Sequence, residues 1–173
     1  MSLPRSEPEP TSESLGVAIL TISDTRTLET DRSGQYLLEQ VQTEGHRIID
    51  RQITKDDRYS IRAIVSGWIA LDSIQVILTT GGTGIAPRDL TPEAIEPLLD
   101  QKLPGFGELF RWVSYEEIGN AALQSRAFAG VANRTLILSL PGSTGACRTG
   151  WEKIIRSQLK TNPQSCTFVS LLW

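Results

Sequence analysis

The stretch that most constrains this chain is QVILTTGGTGIAPRDLTPEA, residues 75–94. Val76-Ile77-Leu78 is a continuous apolar run rich in β-branched side chains, the pattern of a strand buried on both faces. Thr79 and Thr80 carry it into Gly81-Gly82-Thr83-Gly84. Glycines packed this closely permit positive φ and let backbone approach a ligand. Consecutive N–H groups in such a turn form an anion-binding nest. Pro87-Arg88-Asp89 sets one cation and one carboxylate on the rim. Thr91 is read as the N-cap of a helix with Pro92 at its first position. No lysine follows the last glycine, so this is not a Walker A loop, and it does not match GxGxxG. The order strand, glycine loop, charged rim, helix predicts phosphate or nucleotide contact at a strand's carboxyl end. A tight strand-to-helix connection is the competing reading.

The same grammar recurs along the chain. LGVAILTI, residues 15–22, predicts a first buried strand that ends in Ser23-Asp24-Thr25-Arg26. A helix follows from Ser33-Gly34 to Glu44 with Leu37, Leu38 and Val41 inward, closed by Gly45 at C′. His46, the only histidine, is read as a solvated loop residue. A short strand over 47–54 leads to Lys55-Asp56-Asp57. One of those aspartates caps the next helix, whose Ile61, Ile64, Val65, Trp68 and Ile69 form one apolar stripe. The other faces whatever sits above the sheet. After a helix over 92–99, a second over 108–118 is apolar on more than one side: a core helix, or one packed also on another subunit. Arg126, after Ser125, is either a second cation near the site or a surface residue. Ala129-Gly130-Val131 is read as too small for a main core element. TLILSL, residues 135–140, is another apolar strand, and it runs into Pro141-Gly142-Ser143 and a helix carrying Cys147, Trp151, Ile154 and Ile155. That helix start is a second anion site.

Alternating strands and helices predict an α/β fold in three layers, a mostly parallel sheet with helices on both faces. The 173 residues divide into a disordered tail (1–14), one α/β domain (15–160) and an apolar C-terminal tail (161–173) that packs on the domain or a neighbouring subunit. A net charge of −3 argues against a broad nucleic-acid surface. No apolar run is long enough to span a membrane, and the first residues lack a signal peptide's apolar core, so a cytoplasmic protein is expected. Cys147 and Cys166 match no zinc spacing and are too few for a disulfide framework; Cys147 is read as core and Cys166 as tail.

Together, TISDTR, the Asp31-Arg32-Ser33-Gly34 segment, TTGGTG, PRDLTPEA, LPGFGE, LQSRAFAGVAN and LPGSTGACR resemble the molybdenum-cofactor biosynthesis proteins of the MoaB/MogA type. Residues 58–69, Glu116-Glu117-Ile118-Gly119 and Ala146-Cys147-Arg148 look more like the B-type member. The resemblance implies molybdopterin as ligand and, in enzymatic members, its adenylylation by ATP with Mg²⁺ and release of pyrophosphate. It implies a trimer, or a hexamer of two trimers. The family's functional acidic positions match Asp56 and Asp89, which would serve catalysis and metal binding. Substrate and nucleotide contacts would fall on Ser23, Asp24, Thr80, Gly81, Gly82, Thr83, Gly84, Arg88, Ser125, Pro141, Gly142 and Ser143. Where B-type proteins often end in a His-Pro-His tail, this chain has Phe168-Val169-Ser170-Leu171. Three readings stay open: a molybdopterin adenylyltransferase, a binding or carrier protein that does not turn over ATP, and an oligomeric scaffold for other cofactor-assembly enzymes.

Overall fold

The computed structural model describes residues 14–160 and 166–172. The expected tail over 1–14 lies outside the described residues, except Ser14.

The chain runs β1 (Gly16–Ile22), α1 (Arg32–Thr43), β2 (Arg47–Thr54), α2 (Arg58–Ile69), β3 (Val76–Thr80) and α3 (Thr91–Ile95). It continues with β4 (Gln101–Lys102), α4 (Pro104–Ile118), β5 (Phe128–Ala132), β6 (Thr135–Leu140) and α5 (Thr144–Gly150). A π-helical turn, Trp151–Ile155, joins α5 to α6 (Arg156–Gln158), and α7 (Phe168–Leu172) follows. The sheet order is β2-β1-β3-β6-β5-β4, parallel from β2 to β6 and antiparallel over β5 and β4. This is the expected three-layer α/β arrangement.

Period-two alternation builds both cores. Val17, Ile19, Val76, Leu78, Leu136 and Leu138 point to one face and pack with Leu37, Val41, Phe110 and Trp151. Ala18, Leu20, Ile77 and Ile137 point to the other and pack with Ile61, Val65, Trp68 and Ile95. Each fully buried Ile or Leu contributes roughly 2 kcal/mol of transfer free energy, so the central strands are the most firmly held. Val169 of α7 is buried in the first core, and the Phe168 N–H donates to Gln158 Oε1 at 3.2 Å. Residues 167–169 thus lie against the domain.

Register matters most for function. Thr21, Thr80 and Leu140 sit side by side at the carboxyl ends of β1, β3 and β6. The chain also changes direction here: β2 lies on one side of β1 and β3 on the other, which makes a crevice between their outgoing loops.

Three readings of the sequence are corrected. Phe128–Ala132 is a full sheet strand with Ala129 and Ala132 in the two cores, although 129–131 was read as too small for a main core element. Smallness is what the position requires: a Cβ on Gly130 would stand 2.5 Å from Leu99 Cδ1 and 2.6 Å from Gln101 O. Asn133 and Arg134, both at positive φ (46° and 65°), make the two-residue turn into β6. Second, α4 begins at Pro104, ahead of Glu108. Gly107 lets its first turn press on the chain, since a Cβ there would meet Ala127 O at 2.4 Å.

Third, His46 is buried, not solvated. Its Nδ1 accepts the Leu15 N–H at 3.3 Å, fastening the start of β1 to the loop before β2. Burial pushes the imidazole below its ordinary value, against an opposing pull from Glu44. The neutral ring is therefore the native form. Stability from it is complete above the unfolded-state value of about 6.5 and is lost as pH falls through the lower folded-state value. The urea midpoint should drop as pH is lowered from 7 toward 5, and His46→Gln should lack that acid-side component. Parallel pH profiles for parent and variant would assign the drop elsewhere.

Candidate functional site

Three loops leave the aligned strand ends and wall a cleft of about 610 Å³. They are 22–26 after β1, 80–89 after β3 and 141–144 after β6; Asp31, Arg32 and Ser33 at the start of α1 and Asp56 beyond β2 complete the lining.

The loops fit together only because glycine stands at their contacts. Gly81 has φ +107°, and a Cβ on it would lie 2.1 Å from Ile22 O. Gly82 has φ +65°, and a Cβ there would meet Thr91 Oγ1 at 2.3 Å and Asp56 Oδ1 at 2.7 Å. A Cβ on Gly142 would reach Gly81 Cα at 3.3 Å, so the two glycine loops touch. The Gly81 N–H donates to Leu140 O at 3.0 Å and the Thr80 hydroxyl to Pro141 O at 2.9 Å. Thr91 is not the expected N-cap. Leu90 holds that position without a side-chain bond, and the Thr91 hydroxyl instead donates to Gly81 O at 2.8 Å. Pinning a strained loop is its structural task.

The aspartates divide by environment. Asp57 caps α2, accepting from Ser60 N at 2.7 Å. That leaves Asp56 for the cleft, where its backbone N–H donates to Asp24 Oδ1 at 3.2 Å and its own Oδ1 is buried without a partner. Burial pushes the Asp56 carboxyl up, the charges of Asp24 and Asp89 push it further, and Arg88 opposes them. Asp89 holds its own turn, accepting from Ala86 N at 2.8 Å. Asp31, not among the expected site residues, is buried in the cleft wall. It caps α1 by accepting from Gly34 N at 2.9 Å, and it also accepts from the Thr21 hydroxyl at 2.7 Å and Arg51 Nη2 at 3.1 Å. Burial would raise its carboxyl, but those donors outweigh it and hold the group below the ordinary value. An aspartate three residues before Gly34 and just ahead of a helical pattern was the legible signal.

The structure brings Ser23, Asp24, Asp56, Thr80, Gly81, Gly82, Thr83, Gly84, Arg88, Asp89, Pro141, Gly142 and Ser143 to this one cleft. Ser125 is not among them. It lines a neighbouring pocket of about 300 Å³ with Phe110, Ile118, Ala122 and Gly145, and that pocket shares Thr83, Gly84, Pro141 and Ser143 with the cleft. Thr83 is 1% exposed and its hydroxyl has no partner. Arg26, Arg32 and Thr144 are further cleft residues, to which the sequence reading assigned no contact. Cys147 lies buried beneath the loops, its thiol pushed up to about 12 by burial, which rules it out as a nucleophile near neutral pH. Among the described residues no group of three or more His, Cys, Asp and Glu is arranged to hold a metal, and no helix is long and apolar enough to cross a membrane.

A family model described as "Probable molybdopterin binding domain" matches residues 18–161. The chain is 55% identical over 152 residues to "Molybdenum cofactor biosynthesis protein B" of Escherichia coli (strain K12), covering 88% of this chain and 89% of that one. It is 49% identical over 145 residues to the protein of the same name in Staphylococcus aureus (strain MRSA252), covering 82% and 86%. A crystal structure of molybdenum cofactor biosynthesis protein B superimposes with a TM-score of 0.82 at 47% identity, covering 85% of this chain and 92% of that one. The tungsten cofactor synthesizing protein MoaB from Pyrococcus furiosus gives 0.74 at 35%, covering 85% and 93%. These matches place the chain in the family of molybdopterin-binding domains, among the molybdenum-cofactor biosynthesis proteins of MoaB/MogA type and on the MoaB side.

Proposed function

We propose that this protein binds molybdopterin in molybdenum-cofactor biosynthesis and adenylylates it with ATP, releasing pyrophosphate. The observation that carries the reading is the buried, unpartnered Asp56 carboxylate oxygen facing the same cleft as Asp24 and Asp89. Like charges gathered and left unpaired cost stability, and a divalent cation bridging them to phosphate oxygens would relieve that cost. Mg²⁺ is commonly held in this way, by one or two carboxylates and substrate phosphates. Asp56 and Asp89 fit that role, and bound there the ion would neutralise charge on the transferring phosphoryl group.

The chain's own groups account for the rest. N–H groups over 82–84 and the Arg88 guanidinium would hold phosphate oxygens and the charge that builds at phosphorus. The apolar pocket beside them, floored by Phe110 and Ala122 and open at Gly145, suits a flat ring, with the free Thr83 hydroxyl at its edge. In the reaction a phosphate oxygen of molybdopterin attacks the α-phosphorus of ATP, the bond to the bridging oxygen breaks, and pyrophosphate carries away the electron pair. No side-chain nucleophile is required. Pterin binding without turnover is the second reading, favoured by the lack of a ready-made metal cage among the described residues.

Paired measurements separate the two. Asp89→Asn removes a charge and nearly keeps shape, so turnover should fall by about two orders of magnitude or more while molybdopterin affinity holds or improves. Unchanged turnover would remove Asp89 from the chemistry. A parent protein that binds molybdopterin tightly and forms no adenylylated product would leave the carrier reading in possession.

Asp56 allows a test that needs no turnover. Its raised pKa means the folded state resists ionisation, so its charge destabilises near neutral pH and the penalty is relieved as pH falls. Asp56→Asn should therefore raise the melting temperature at neutral pH and lose the additional stabilisation that Mg²⁺ with ATP gives the parent. The helix cap is untouched, because Asp57 provides it. A lower melting temperature with the Mg²⁺ response intact would contradict both parts.

We also propose a homo-oligomer of threefold symmetry. Leu109, Trp112, Tyr115 and Ile118 recur every third residue on α4 and are exposed, Trp112 by 73%. A single mass near the monomer at micromolar concentration in light scattering would be the contrary result.

A further inference from the structure

The rim over 84–89 carries Arg88 and Asp89, yet little apolar contact holds it down. Ile85 is 70% exposed, and Ala86, Pro87 and Arg88 are exposed as well. Polar ties must therefore fix it. Within the rim, the Asp89 N–H donates to Ala86 O at 2.9 Å and Asp89 Oδ2 accepts from Ala86 N at 2.8 Å, closing a compact turn. Those two bonds close the turn on itself and tie it to nothing outside the rim.

Both ends are held by one side chain. Arg126 Nε donates to Gly84 O at 2.7 Å and Nη2 donates to Asp89 O at 2.6 Å. Nη1 pairs with Glu93 in the first turn of α3, and the Arg126 backbone N–H donates to Thr83 O at 2.8 Å. The guanidinium does not line the cleft. It lies behind the rim, in a groove shared with Glu93 and Arg111. The sequence offered two roles for Arg126, a second cation near the site or a surface residue; the geometry puts it near the site, on the outer side of the rim.

We propose that Arg126 is a positioning residue for Asp89, clamping both ends of the rim from outside the cleft. The proposal rests on the reading of Asp89 as a group that works on the transferring phosphate. A planar fork of N–H donors can serve two carbonyls and a carboxylate at once. A lysine ammonium on its flexible stem has no such fork. Displacing a reacting group by about 1 Å costs on the order of 100-fold in rate, so a loosened rim should damage turnover well before it damages the fold.

The test uses the full chain with Arg126→Ala, Arg126→Lys, Asp89→Asn and the Arg126→Ala/Asp89→Asn double variant. Tryptic cleavage after Arg88, followed by mass spectrometry, reads rim mobility without reference to any reaction. Cleavage there should be several-fold faster in Arg126→Ala at an unchanged melting temperature, and Arg126→Lys should not restore protection. Turnover should fall about 100-fold with molybdopterin affinity held, and the double variant should lose clearly less than the product of the two single losses, because Arg126 acts in large part through Asp89. Unchanged cleavage after Arg88 would overturn the proposal, as would losses that multiply in the double variant. A parent that turns nothing over defeats the adenylyl-transfer reading on its own account, and rim protection then decides the role of Arg126 separately. If Arg126→Ala does not fold, cleavage in Arg126→Lys decides: parent-like protection overturns the clamp, and loss of protection supports it.

Discussion

Three loops leave β1, β3 and β6 at the same height, and glycine resolves their competition for space. Gly81 stands where any side chain would enter the Ile22 carbonyl, and Gly142 stands against Gly81 itself. The cleft exists because these backbones approach more closely than side chains allow. The register that aligns Thr21, Thr80 and Leu140 is set far below, by apolar residues alternating between the two cores. A slip of one residue in β3 would turn Val76 and Leu78 to the opposite core and carry the glycine loop out of line. Core packing and site geometry are thus one constraint seen at two ends of the same strands.

Two carboxylates lining this cleft, Asp31 and Asp56, show how placement decides environment. Asp31 accepts bonds from a helix N-terminus, a threonine and an arginine, and those donors hold it ionised despite burial. It is satisfied, and what it supplies is the position of α1. Asp56 has a buried oxygen with no partner and two acidic neighbours. An unsatisfied buried polar atom calls for a physical reason, and none of the described side chains supplies one for Asp56. The same residue type is therefore satisfied as architecture at one wall of the cleft and left unsatisfied at the other.

The parallel half of the fold was legible because its signals are local. Apolar runs ending in glycine mark β3 and β6 and their loops, and the Asp56-Asp57 pair divides as helix capping demands. The antiparallel half was less so. In β5 the smallness of Gly130 reflects pressure from Leu99 and Gln101, partners distant in sequence, so no local pattern announces a strand. His46 was misread for a similar reason: polar neighbours suggested solvent, while its partner Leu15 lies a whole helix away. Thr91 occupied a convincing cap position, yet a tertiary bond to Gly81 claimed its hydroxyl. Ser125 was grouped with the cleft by motif, and only the fold shows that it lines the adjoining pocket.

The antiparallel strands also change what the glycine loop can do. A glycine-rich loop with positive φ at two positions has backbone freedom in the unfolded chain that must be removed on folding. Its own bonds to Leu140 and Thr91 fix Gly81, but the rim beyond Gly84 extends past their reach. The chain returning from α4 toward β5 passes behind the rim and presents Arg126 there. That return path is set by close packing at Gly107 and Gly130, where side chains would collide with backbone. Small residues that appear to contribute nothing to a core therefore decide where a guanidinium arrives, and through it where an aspartate on the far side of the loop can stand.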